Sequence, residues 1–166
     1  MTKTLTKVFA VMLSFLMLIP TSFCAYANEG PEWEDIYLTE EEFNEILEMG
    51  NSSNDKTKAT GLITSWGLGV SKSGSKLVIT GKTICQVSVV KCGFTKVVIQ
   101  SRRNSSSSWI TYATYEDLYS NSSAHSIAKS IEVNPGNQYR ATAVHYAKKS
   151  IFSTEKINNT SNIVTF

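Results

Sequence analysis

The chain has 166 residues and a formal net charge of +2, with 42% hydrophobic and 18% charged residues. The part that would remain after removal of a predicted signal peptide, residues 28–166, is long enough for one domain with a hydrophobic core. No nucleic-acid-binding motif accompanies the scattered lysines and arginines, which argues against a nucleic-acid partner.

The N-terminal segment, residues 1–27, has the organisation of a secretory signal peptide. Lys3 and Lys7 precede an uncharged apolar run, and Ala25 and Ala27 stand at the −3 and −1 positions of a cleavage site. The run has twelve residues, whereas a membrane span needs about 20. We therefore expect cleavage after Ala27, an extracellular protein and no stable membrane span in the processed chain.

Two alternatives to a cleaved signal peptide stay open. Cys24 suggests a lipid-modified cysteine, and the apolar run suggests an uncleaved anchor. Phe23 argues against the first alternative, because lipoprotein signals carry a small residue before the cysteine.

The charges of the remaining chain are distributed unevenly. Residues 28–55 hold ten acids and no base, whereas residues 56–166 hold fourteen lysines and arginines against four acids. We call residues 28–58 the acidic leader. Such a division indicates either that the basic part has an anionic partner or that the two parts attract each other.

The leader contains one well-marked helix, predicted over about residues 39–49 and followed by a polar linker. Thr39 and Glu42 have the spacing of a capping box, and Gly50 is a typical C-terminal stop. A helix of about three turns is marginal alone in water. Two hypotheses follow: the helix docks on the β-domain and masks its positive charge, or the leader is mobile and solvated. The expected apolar stripe comprises Phe43, Ile46 and Leu47.

Residues 59–166 show the pattern of an antiparallel β-sandwich, so the predicted fold class is mainly β with a short acidic helix in front. Short runs rich in β-branched and aromatic residues alternate with Ser-, Asn- and Gly-rich turns. No helical pattern alternates with these runs, which argues against a parallel α/β sheet. The predicted strands are LITSWGLGV, SKLVITGKT, ICQVSVV, FTKVVIQSR, WITYATY, SIAKSIEV, QYRATAVHYA and SNIVTF.

The stretch IEVNPGNQYRATAVHYA places a Pro135–Gly136 turn before an alternating strand. It resembles the V-x-P-G-x-x-Y-x-x-x-A-V signature at the tyrosine corner of fibronectin type III-like and immunoglobulin-like sandwiches. The resemblance implies that Tyr139 lies inward and that its hydroxyl bonds to nearby backbone.

The phrase VVIQSRRNSSSSWITY resembles a hairpin of small secreted proteins from Gram-positive bacteria, with Ser in place of Gly before Trp109. Together with the signal peptide and acidic leader, it is similar to an uncharacterised family of such proteins. The resemblance implies a location and a fold, and no activity.

Catalytic and metal sites are not indicated, and we expect no enzyme activity and no cofactor. His145 is in step with Tyr139 on one strand face, where a structural histidine is the more common case. His125 and His145 lack the neighbouring cysteines or acids of a zinc site. No nucleophile elbow, carboxylate pair or phosphate loop is evident.

The alternative to a catalytic or metal site is a binding surface made of aromatic and basic side chains. We expect Trp109 and Tyr115 to pack in the core and Tyr112 to lie outside. The candidate surface residues are Trp66, Tyr112, Tyr119, Arg102, Arg103, Lys148 and Lys149. The residues assigned structural roles are Tyr139, Trp109, His145, Cys85 and Cys92.

Cys85 and Cys92 are the cysteines left after signal cleavage, and an oxidising exterior favours their pairing. If CQVSVVKC is one strand, they lie about 23 Å apart. A disulfide needs Cα atoms within about 7 Å, so it would require a bend near Ser88–Lys91. We therefore favour unpaired, buried thiols.

Three functions are carried forward. The first is a secreted, non-catalytic sandwich that binds an anionic cell-envelope polymer, a glycan or a surface protein. The second is an antibacterial, toxin-like protein, and the third is a secreted hydrolase whose site is assembled from distant residues.

Overall fold

The computed structural model describes residues 31–51 and 61–166. The predicted signal peptide lies outside the described residues, and so does the predicted linker from residue 52 onward. No helix in the two described ranges has the length and hydropathy needed to cross a membrane.

The described chain forms two antiparallel sheets, which confirms the predicted mainly β sandwich. One sheet has the strand order β1-β6-β3-β2, and the other has the order β5-β4-β7-β8 with β9 paired to β7. The elements are β1 (Glu34–Asp35), α1 (Glu40–Asn51), β2 (Ile63–Ser73), β3 (Lys76–Cys85), β4 (Lys91–Arg102), β5 (Ile110–Ser120), β6 (Ala124–Glu132), β7 (Gln138–Ser150), β8 (Ser153–Thr160) and β9 (Val164–Thr165).

The core lies between the two sheets and follows the period-two alternation of the strands. On β7, Tyr139, Ala141, Ala143 and His145 are buried while the residues between them are half-buried. The same alternation on the other strands packs the buried side chains into one main hydrophobic cluster. Its largest members include Phe94, Leu68, Leu77, Ile79, Ile99, Ile131 and Tyr139.

The helix begins as predicted. The backbone N–H of Thr39 donates to a Glu42 carboxylate oxygen at 2.8 Å, and the Glu42 N–H donates to the Thr39 hydroxyl at 3.2 Å. These are the two reciprocal bonds of a capping box. The helix ends two residues later than expected, at Asn51.

Gly50 lies inside the helix, so the prediction that it stops the helix is wrong. A Cβ on Gly50 would stand 1.9 Å from the carbonyl oxygen of Leu68, and one on Gly69 would stand 1.9 Å from that of Ile46. The two glycines therefore let the helix and β2 approach backbone to backbone. Ile46 and Leu47 are buried in this contact. The helix therefore docks on the β-domain, which was one of the two hypotheses drawn from the sequence.

The leader also extends the four-stranded sheet. β1 pairs with the outer edge of β6, and the ion pairs Lys76–Glu34 (2.7 Å) and Lys129–Asp35 (2.6 Å) join the two parts. Trp33 stacks on Tyr115, with ring centroids 3.6 Å apart. Helix and β1 together place residues 31–51 of the leader on the four-stranded sheet.

The tyrosine corner has the geometry that the resemblance implied. The Tyr139 hydroxyl donates to the Asn134 carbonyl and accepts from the Asn134 N–H, both at 3.0 Å. Gly136 has a φ of +79°, the left-handed value that the third position of a type II turn requires.

The segment ICQVSVV is not one strand, contrary to prediction. β3 ends at Cys85, residues 86–90 form a turn, and β4 begins at Lys91 in the other sheet. The turn brings the sulfur atoms of Cys85 and Cys92 to 2.8 Å, where both are buried free thiols.

A bulge on β5 overturns two predictions about WITYATY. Ile99 pairs with Ala113 and Gln100 pairs with Thr111, so Tyr112 is the extra residue. Tyr112 therefore turns inward and packs edge-on against Tyr139, with centroids 5.4 Å apart. Trp109 is not in the core but lies half-buried on the outer side of the sheet.

Candidate binding face

The outer side of the five-stranded sheet concentrates positive charge. Strand alternation turns outward the residues of β4 and β7 that lie between the buried ones. We call this surface the basic face, and its cations are Lys91, Lys96, Arg102, Arg140, Lys148 and Lys156. Two acids adjoin it: Glu116 pairs with Lys96 at 3.3 Å, and Asp117 accepts from the Tyr119 hydroxyl at 2.7 Å.

One end of the basic face is an arginine–tryptophan cluster. The guanidinium carbons of Arg102 and Arg140 each lie 4.3 Å from the Trp109 ring centroid. Two cross-strand pairs hold the arginines: Arg102 Nε donates to Gln138 and Arg140 Nε donates to Gln100, both at 2.8 Å. Both arginines are therefore oriented before any ligand arrives.

This cluster carries two like charges, and no carboxylate of residues 31–51 or 61–166 pairs with either. Burial, and then repulsion from Arg102, lowers the pKa of the Arg140 guanidinium. Within the described residues, the salt bridges involve lysines and neither of these arginines. An anion placed between the guanidinium groups would relieve their repulsion and accept charge-assisted hydrogen bonds.

The other end of the basic face is a pair of tyrosines with lysines above them. Tyr119 and Tyr146 flank Gly93 in register, with ring centroids 5.5 Å apart. Lys91 lies 4.1 Å from the Tyr119 centroid, and Lys156 lies 6.0 Å from that of Tyr146. Burial, and then the hydrogen bond to Asp117, raises the pKa of Tyr119 to about 12, so this phenol stays neutral.

The two ends are joined into one elongated surface. Lys91 and Arg102 are the first and last residues of β4, so at ~3.3 Å per residue they stand roughly 35 Å apart. Lys96 lies between them. A row of cations and aromatic rings on this scale matches an extended anionic chain better than a small ligand.

The candidate surface predicted from sequence is brought together only in part. Arg102, Tyr119 and Lys148 belong to the basic face. Trp66 lies on β2 in the other sheet, and Tyr112 packs against the core. Arg103 begins the loop after β4, and Lys149 is exposed near the end of β7.

Sequence reasoning missed six members of the basic face: Lys91, Lys96, Trp109, Arg140, Tyr146 and Lys156. The signal available was alternation on β7, where Arg140, Tyr146 and Lys148 share the parity opposite to Tyr139. Trp109 could not be assigned, because its side depends on the bulge.

His145 lies between the sheets and away from any surface. It is fully buried, its Nδ1 is 2.8 Å from the Thr83 hydroxyl, and its ring is 4.8 Å from that of Phe94. Burial lowers the pKa of His145 to about 3. His125 is half-buried, and burial, followed by the charge of Lys129, lowers its pKa as well. In residues 31–51 and 61–166, no three His, Cys, Asp or Glu side chains are grouped as a metal site would require.

Comparison of the chain with protein-family models, curated proteins and solved structures gave no significant match.

Proposed function

We propose that this protein is a secreted, non-catalytic β-sandwich that binds an anionic polymer of the cell envelope along its basic face. The observation that carries the proposal is the row of cations about 35 Å long on β4, which ends at Arg102 beside Arg140 of β7. Among the described residues neither arginine forms a salt bridge. The polymer's repeating phosphate or carboxylate groups would contact the cations, and its sugar or polyol units would lie against the aromatic rings.

The proposed extracellular location rests on the signal-peptide pattern of residues 1–27. The proposed kinship with fibronectin type III-like or immunoglobulin-like sandwiches draws support from the tyrosine corner at Tyr139 and Asn134. Further support comes from the seven long strands β2–β8, arranged as three in one sheet and four in the other.

Binding without catalysis is favoured by where the reactive side chains lie. His145 is enclosed by the core and neutral near pH 7, so it cannot exchange protons with a surface ligand. The thiols of Cys85 and Cys92 are buried, and burial raises their pKa values, which disfavours the nucleophilic thiolate. The hydrolase and antibacterial alternatives stay predictions, to be checked by hydrolysis assays and by growth inhibition of neighbouring strains.

The test compares two charge-matched double variants on immobilised cell-wall polymer. Arg102→Gln with Arg140→Gln removes the arginine pair, while Lys72→Gln with Lys82→Gln removes two charges from the four-stranded sheet. We expect the first variant to bind about tenfold more weakly at low salt and to lose binding less steeply as salt rises. The second variant should bind nearly as the parent does.

The proposal fails if both variants weaken binding equally, because net charge alone would then explain retention. It also fails if the parent does not bind polyanions at low salt. Circular dichroism and thermal unfolding of each variant verify that the fold is intact.

A further inference from the structure

Two turns at one end of the sandwich expose large apolar side chains. The β3–β4 turn exposes Val87 (94%) and Val90 (56%), and the β7–β8 turn exposes Ile151 (75%) and Phe152 (93%). We call these four residues the apolar tip. They are half of the large hydrophobic residues that are exposed in the described chain, so they form a cluster rather than a random scatter.

The two turns are held side by side. The Val90 N–H donates to the Lys148 carbonyl at 2.8 Å, and Lys91 pairs with Lys148 across β4 and β7. Three residues after Lys148 the chain reaches Ile151, at the tip of its hairpin. The backbone therefore holds the β3–β4 turn beside the β7–β8 hairpin.

Turn chemistry does not account for the residues at the tip. Ser150 pairs with Ser153, which leaves Ile151 and Phe152 as a two-residue hairpin loop. Such loops usually carry small or polar residues such as Asn, Asp and Gly, which are well solvated. Neither Ile151 nor Phe152 has a positive φ, so the backbone does not disfavour them. The exposure of a β-branched and an aromatic side chain here nevertheless contradicts the usual polar composition of such loops, and such contradictions are typical of functional sites.

Three lysines surround the apolar tip: Lys91, Lys148 and Lys149. None of them forms a salt bridge in the part of the chain that the structure describes. The nearest acid on β8, Glu155, is half-buried and accepts from the Ile63 N–H at 2.7 Å. The tip is therefore apolar at its end and positive around its base.

We infer that the apolar tip inserts into the headgroup region of an anionic lipid bilayer, with the three lysines contacting lipid phosphates. Exposed apolar side chains bordered by lysines are the features by which proteins bind an anionic membrane surface without spanning it. The tip is limited to two exposed turns, whereas a standard protein interface buries about 800 Å² on each partner. A second copy of the chain is disfavoured, because tip-to-tip contact would bring six lysines together.

The experiment measures co-sedimentation of the processed protein with phosphatidylcholine vesicles, with and without phosphatidylglycerol. Ile151→Ser with Phe152→Ser removes two apolar side chains from the tip. Ile110→Ser with Ile163→Ser removes two exposed ones (64% and 47%) from near the opposite end of the sandwich. All variants keep the same N-terminus, so this segment cannot cause a difference between them.

We expect the parent and the Ile110/Ile163 variant to bind anionic vesicles alike, and the Ile151/Phe152 variant to bind at least about tenfold more weakly. A Phe152→Trp variant should show a blue-shifted emission when anionic vesicles are added, because its indole enters a less polar layer. Equal vesicle binding by both double variants would overturn the inference, as would a parent that does not bind anionic vesicles.

Lys91 and Lys148 belong both to the basic face and to the base of the apolar tip, but the arginine pair and the apolar pair each belong to one of them, so these variants separate the two proposals. The Ile151/Phe152 variant should still bind cell-wall polymer, and the Arg102/Arg140 variant should still bind vesicles. If vesicle binding is lost with the arginines and kept without the apolar pair, then the basic face and not the tip contacts the bilayer, and the inference is wrong.

Discussion

The sulfur atoms of Cys85 and Cys92 lie 2.8 Å apart, although the two residues belong to different sheets. The sequence argument favoured unpaired thiols because it assumed one continuous strand, and the turn at residues 86–90 removes that objection. Both cysteines are buried, and burial raises the pKa of each thiol.

We predict that the pair becomes a disulfide when the protein folds outside the cell. The two thiols lose two protons and two electrons, which pass to the disulfide of an extracellular thiol–disulfide oxidoreductase. Closing so short a loop should stabilise the fold by about 2 kcal/mol. The denatured, unreduced protein should take up no alkylating reagent, whereas a Cys85→Ser variant should be alkylated at Cys92. Alkylation of the parent at both cysteines without prior reduction would contradict the prediction.

A second prediction concerns the tyrosine corner. Tyr139→Phe removes a hydroxyl that makes two bonds to the Asn134 backbone, so it should lower the free energy of unfolding by about 1–2 kcal/mol. Urea unfolding measures the change. Tyr37→Phe is the matched control, because Tyr37 is fully exposed and its variant should unfold like the parent. Equal stability of the two variants would mean that the corner bonds contribute nothing.

A third prediction concerns pH. The pKa of His145 is about 3 in the folded protein and ordinarily about 6.5 when the chain is unfolded. Between these values the unfolded state binds more protons, so stability should fall as the pH drops from about 6.5 towards 3. The loss attributable to His145 is at most about 1.4 kcal/mol per pH unit.

The His145 contribution is isolated by comparing the parent with His145→Gln over the same pH range. Glutamine does not titrate, so the variant should show a shallower loss of stability on acidification, although it is less stable near neutral pH. Identical slopes would show that His145 does not titrate on unfolding. If the variant folds as well as the parent but loses binding, then His145 serves the site and not the fold.

Features that depend on neighbouring residues could be predicted from the sequence. The capping box joins Thr39 to Glu42, and the tyrosine corner joins Asn134 to Tyr139. In both cases a short spacing determines the geometry. Most strands were recognisable for the same reason, because alternation is visible within a single run. β8 was not predicted, and ICQVSVV was wrongly predicted to be one strand.

Features that depend on register between distant strands could not be predicted. The β5 bulge sets Tyr112 inward and Trp109 outward, and it exists only in relation to Ile99 and Gln100 on β4. The basic face depends on pairs such as Gln100 with Arg140, which lie 40 residues apart in the chain. One strand alone gives no sign of such a partner.

A fourth prediction tests the close contact of helix and sheet. In an exposed helix Gly→Ala stabilises by up to about 1 kcal/mol, but a Cβ on Gly50 would collide with the Leu68 carbonyl oxygen at 1.9 Å. Gly50→Ala should therefore loosen the helix from β2 and leave the sandwich folded. Hydrogen exchange of the helix amides should speed up, whereas that of β7 should not. Glu48→Ala, at an exposed helix position, is the control and should not speed exchange.

The last prediction concerns the negative charge of the leader. The described part of the leader, residues 31–51, covers the four-stranded sheet and does not touch the basic face, so masking by this part can act only through space. Replacing four exposed helix acids by glutamine removes most of the helix's negative charge and leaves the capping box and the buried contact intact. The four acids are Glu40, Glu41, Glu45 and Glu48. We expect retention on anionic polymer to rise at low salt and the gain to vanish near 1 M salt, where screening shortens the reach of exposed charges to ~3 Å.

A gain that persists at high salt would instead mean that the leader blocks the basic face directly. No gain at low salt would mean that the leader's charge does not influence binding.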